Sequence, residues 1–93
     1  MIDLDKIFQA ELYFKIVYFF YENQASVDTA RGIATWVNHE PKEVEGALEE
    51  LVVFNILEAH RSDLVTGFAY TQDKETSKVI DNYFKNRIKN KTG

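Results

Sequence analysis

Cysteine is absent from the 93 residues, which excludes a disulfide scaffold, thiolate zinc ligation and a cysteine nucleophile. Proline occurs once and glycine four times, too few for a linker or a low-complexity tail. Positive charge is also scarce. Eleven Lys+Arg against fifteen Asp+Glu leave a net −4, the wrong sign for an obvious binder of polyanions. The longest apolar run, Ile16 to Tyr21, falls far short of the ~20 residues that a membrane-spanning helix needs. The opening Met1-Ile2-Asp3-Leu4-Asp5-Lys6 has no basic segment leading into an apolar one, as a secretory signal would. These absences predict a soluble, cytoplasmic domain with no membrane association.

What is present is 45% hydrophobic and 14% aromatic, enough for one core but not for two. The first periodic segment runs from about residue 4 to 22. Its apolar residues, among them Phe8, Leu12, Tyr13, Phe14, Ile16, Val17, Phe20 and Tyr21, spread over nearly the whole helical wheel. Glu11, Lys15 and Glu22 share the main polar sector. A helix apolar almost all round must be covered on two sides, either by its own domain or by a second subunit. In so short a chain little protein is left to wrap it, so a subunit interface is expected.

Asn23 to Ser26 break the pattern, and Ser26 or Asp28 can cap a second helix over about 29–38, with Ile33, Ala34 and Val37 as its buried stripe. Trp36, the only Trp, is expected as a core or interface anchor. After the polar turn Asn38-His39-Glu40, Pro41 suits the first position of a third helix over about 41–54, where its missing N–H is not needed. Val44, Ala47, Leu48, Leu51 and Val52 line one face of that helix, and Asn55 can end it in the left-handed region. Two short extended runs, Ile56–His60 and Phe68–Thr71, flank a polar link with Gly67 and predict a β-hairpin. A last helix over about 74–90 carries Val79, Ile80, Tyr83, Phe84 and Ile88 as its stripe. No repeat or linker interrupts the chain, so residues 1–93 are expected to form one domain.

Ile33-Ala34 with Val37, then Val44-x-x-Ala47-Leu48-x-x-Leu51, Asn55-Ile56-Leu57 and Phe68-Ala69-Tyr70-Thr71 stand in a telling order. This stretch, residues 26–73, resembles the winged helix-turn-helix domains of bacterial and archaeal transcriptional regulators. Asn55 replaces the Gly usual in that pattern, a mild change because Asn also tolerates positive φ. The resemblance implies an α+β fold, a three-helix core with a β-hairpin wing, extended here by an N-terminal and a C-terminal helix. It implies transcription regulation by binding duplex DNA, with the third helix in the major groove and the wing at phosphates. The corresponding positions make His39, Lys42, Glu45 and Gly46 candidate DNA contacts, and Arg31 and Arg61 are the other candidate phosphate contacts.

Catalysis finds little footing, and no enzyme is expected. His39 and His60 lack metal-ligand spacing, and His60-Arg61-Ser62-Asp63 are consecutive on an extended segment and cannot converge as a triad. Gly32, Gly46, Gly67 and Gly93 are isolated, so there is no phosphate-cradling loop, and no cofactor or metal is expected.

Charge divides the chain unevenly. Between Pro41 and Phe54 a single Lys faces four Glu, an unusual balance for an element meant to approach DNA. From Lys74 onward six Lys/Arg oppose two acids, which suits the end of a helix dipole or a phosphate-contacting tail. The acidic third helix supports an alternative, a protein–protein interaction module that docks a basic partner. Either role is compatible with a homodimer, for which Phe8, Tyr13, Phe14, Val17, Tyr21, Tyr83 and Phe84 are the candidate interface residues.

Overall fold

Five helices and a three-stranded antiparallel sheet make an α+β fold in the computed structural model, which describes the backbone of residues 2–92 and the side chains of residues 2–87. In chain order the elements are α1 (Leu4–Ile7), α2 (Glu11–Glu22), β1 (Val27–Thr29), α3 (Ala30–Val37), α4 (Pro41–Val53), β2 (Leu57–Arg61), β3 (Thr66–Tyr70) and α5 (Lys74–Thr92). The sheet runs β1-β3-β2, so the hairpin pair β2–β3 takes a third strand from before α3. Val27 sits opposite Ala69 and Thr29 opposite Gly67, while Leu57 sits opposite Tyr70 and Arg61 opposite Thr66. The order of elements is compatible with a winged helix. No described helix is long and apolar enough to cross a membrane.

The N-terminal helix expected over 4–22 is instead two helices. Asp3 caps α1 by accepting a hydrogen bond from the Lys6 amide, and the helix closes at Phe8, whose ring turns into the core. A new helix then starts at Glu11. α2 buries Ile16, Val17 and Phe20 fully and Leu12, Tyr13, Phe14, Phe19 and Tyr21 in part, so most of its circumference meets the rest of the domain.

The chain also covers this helix itself. Phe84 of α5 packs against Phe8, Phe14, Tyr18 and Tyr21, at centroid distances of 5.8, 5.7, 5.4 and 4.6 Å. Tyr21 also donates a 2.6 Å hydrogen bond to Asp81, and Arg87 lies 4.9 Å above the Phe14 ring. This packing takes up three of the seven expected interface residues. Phe8, Val17 and Phe84 are core residues of their own domain and have no surface to offer a second copy. Tyr13, Phe14, Tyr21 and Tyr83 are half-buried against that core. On α5, Ile80 is buried but Val79 is exposed, and the Ile88 side chain lies outside the described residues.

The centre of the fold follows the expected pattern closely. Ile33, Val44, Leu48, Leu51, Ile56, Leu57 and Phe68 are all essentially inaccessible and join the α2 stripe in one cluster. The cap of α3 is Thr29, whose hydroxyl accepts the Gly32 amide at 3.1 Å, rather than Ser26 or Asp28. Asp28 belongs to β1, and its carboxylate crosses over Gly32 so closely that a Cβ there would collide with it. Asn38, at φ 58°, ends α3, and the His39 amide closes back on the Ala34 carbonyl. Asn55, at φ 64°, ends α4 in the expected left-handed conformation. Its amide donates to Val52 and the next, Ile56, to Leu51, the two bonds of a Schellman closure.

Candidate nucleic-acid interface

The α3–turn–α4 unit and the β2–β3 hairpin border one open groove of about 550 Å³. Arg31 enters it from the first turn of α3, and Glu45 and Glu49 from the outer face of α4. The loop Ser62–Val65 closes the far side. Asp28, Thr29 and Gly32 fix the start of α3, and the Schellman closure at Asn55 sends the chain from α4 straight into β2. These two turns set the spacing between helix and hairpin.

Of the six candidate contacts, Arg31 and Glu45 line this groove directly. Arg61 sits at its edge, at the end of β2. His39, Lys42 and Gly46 are placed on the turn and the first half of α4, outside the groove lining. His39 Nδ1 lies 3.5 Å from Glu43 Oε2, within reach of an ion pair when the imidazole is protonated. Lys42 and Arg31 are exposed and form no ion pair among the described residues. Gly46 is open to solvent, with no atom within 4 Å of where a Cβ would stand.

Arg61 is already engaged. Its guanidinium donates to both carboxylate oxygens of Glu49, at 2.7 and 3.0 Å. The hydrogen bond and the adjacent cation hold the Glu49 carboxyl below its usual range. A cation the sequence offered to phosphate is thus shared with an acid on α4. Nothing in the spacing of residues 49 and 61 announces this contact, because it depends on how the hairpin folds back over the helix.

Sequence reasoning missed one surface feature and left a second open between core and interface. Leu64, an apolar residue in a polar loop, is 96% exposed at the hairpin tip, with Val65 half-exposed beside it. Trp36 is no core anchor: it is 71% exposed, resting on Phe19 at a centroid distance of 5.6 Å. Its position follows from the stripe of α3, since Ile33, Ala34 and Val37 take the inner face and leave residue 36 outside. Among the described residues, no three His, Asp or Glu side chains are grouped closely enough to hold a metal ion. Compared with protein-family models and with curated proteins, the chain finds no match in either.

Proposed function

We propose that the chain is a winged-helix domain that binds duplex DNA and regulates transcription without catalysing a reaction. In this reading α4 enters the major groove, the β2–β3 hairpin is the wing, and the protein acts in the cytoplasm, where DNA is accessible. The observation that carries it is the shared groove, with α4 and the hairpin loop presented side by side and Arg31 exposed between them. Lys42, at the start of α4, supplies a second exposed cation. Glu45 can accept a hydrogen bond from cytosine N4, so one acid on the reading face has a use. A homodimer would set two α4 helices on paired half-sites.

A second reading draws on the Arg61–Glu49 pair and the exposed Leu64. With Arg61 and Glu49 cancelling each other, Glu45 and Asp63 still outnumber Arg31 in the groove lining, and the apolar tip beside them suits a basic protein partner with an apolar side chain to seat. Titration of labelled mixed-sequence duplex at several salt concentrations separates the two. A DNA-binding domain retains the duplex at low salt and loses it steeply as salt rises. Absence of binding at the lowest salt overturns the DNA reading and leaves the docking one.

A further inference from the structure

The aromatic surface that the chain does not cover lies along the outer face of α2 and the end of α3. Phe14, Tyr18, Phe19 and Trp36 wall a shallow apolar groove of about 480 Å³ there, with Lys15 and Glu22 on its margin. Tyr18 is 40% exposed and stacks on Phe14 at 6.0 Å. A monomer that buries Phe8, Phe20 and Phe84 so thoroughly leaves Trp36 outside, and exposed aromatic grooves of this kind mark contact surfaces.

The charges on the margin identify the occupant. Lys15, which also reaches Glu11 one turn back at 3.2 Å, and Glu22 stand seven residues apart on one face of α2, two helical turns, with Tyr18 and Phe19 midway between them. A two-fold axis through that midpoint would lay a second α2 antiparallel on the first. It would bring each Lys15 opposite the partner's Glu22, and each Tyr18 opposite the partner's Phe19. Contacts made in reciprocal pairs are what an isologous dimer requires. We infer that α2, with Trp36 beside it, is the contact face for a second copy of this chain, packed antiparallel through the Lys15 and Glu22 pairs. This gives the dimer of the proposed function a contact on the exposed α2–α3 face, which keeps Phe14 of the residues expected from the sequence and leaves out the buried Phe8, Val17 and Phe84. It holds whether the groove beside α4 takes DNA or protein.

The test uses the symmetry. Lys15→Glu alone gives a dimer with Glu facing Glu at both pairs, and Glu22→Lys alone gives Lys facing Lys. Glu22 is exposed, and Lys15 is partly exposed with a surface ion pair to Glu11 that adds little to stability, so circular dichroism should show each variant folded. Sedimentation equilibrium should give a wild-type particle of twice the chain mass, and each single variant should self-associate at least about tenfold more weakly. An equimolar mixture of the two variants should recover the wild-type dimer, because every facing pair is then Lys with Glu. Trp36 reports the same event, its emission moving to the blue as the indole leaves water. The duplex titration of the previous subsection is read separately, so failure of one does not mimic failure of the other. A monomeric wild type overturns the inference. So does a dimer indifferent to both single changes, or a mixture that associates no better than its components.

Discussion

Arg61 and Glu49 form a two-pronged ion pair that joins the end of β2 to the outer face of α4, with N–O distances of 2.7 and 3.0 Å. The pair pins the hairpin to the helix and consumes one of the few cations near the groove. Both side chains remain about half exposed, so solvent screens the attraction and its effect on stability is small. Its larger consequence is electrostatic: it holds the Arg61 cation on Glu49 and away from any phosphate.

Glu49→Gln should therefore release Arg61 and remove one acid from the same groove. If the groove meets DNA, duplex affinity should rise and the salt dependence should steepen by up to about one unit. Thermal unfolding should change little. Unaltered affinity in a variant of unaltered stability would take this groove out of the DNA contact.

Phe84→Ala tests how α5 holds α2. The ring touches Phe8, Phe14, Tyr18, Tyr21 and Tyr83 and is 2% exposed, so truncation leaves a cavity at the junction of α1, α2 and α5. A loss of about 3–5 kcal/mol in urea unfolding is expected. A loss below about 1 kcal/mol would mean that α5 is not docked as described.

The centre of the fold was legible in the sequence because local chemistry and burial agree there. Pro41 and Asn55 bracket α4 by backbone preference alone, and Val44, Leu48 and Leu51 keep a single period between them. Legibility failed where the deciding partner is distant in sequence. The break at residues 8–10 carries no Gly or Pro, and Phe8 at its start packs on Phe84 and Tyr83, far along the chain. The three residues of β1 are too few to show an alternating pattern, and pairing with β3 makes them a strand. At the candidate site, Arg31 and Glu45 were named through the winged-helix resemblance, and both line the groove beside α4. The neutralisation of Arg61 was not legible, because it is a tertiary contact.

Stability should fall at both ends of the pH scale, for opposite reasons. Arg61 holds the Glu49 carboxyl low; hydrogen bonds from Thr76 do so for Asp73, and those from Tyr21 and then Lys85 for Asp81. A carboxyl with a lower folded than unfolded pKa stabilises above its unfolded value of about 4, and loses that contribution as the pH drops through the folded value. Tyr13 and Tyr21 are pushed up to about 12, chiefly by donating hydrogen bonds to Glu50 and Asp81. Their contribution is complete below pH ~10 and is lost between there and ~12. Tyr21→Phe should flatten the alkaline decline and also shrink the acid-side loss, because the same bond holds Asp81 low. Urea midpoints measured across the pH range check both limbs, and an alkaline slope identical to wild type would break the assignment.

Gly46 stands exposed in the middle of α4, where a glycine costs helix stability and where nothing in the domain needs the space of its missing side chain. Gly46→Ala should therefore raise stability by about 0.5–1 kcal/mol through helix propensity alone. In the DNA reading the bare backbone at this position lets α4 sit deep in the major groove, and an added methyl holds it off. The variant should then unfold at a higher temperature and bind duplex more weakly, two effects that a purely structural role for the position could not produce together. Measuring both on one preparation decides the point: a stabilised variant with undiminished duplex affinity removes Gly46 from the interface and with it the close approach of this face of α4.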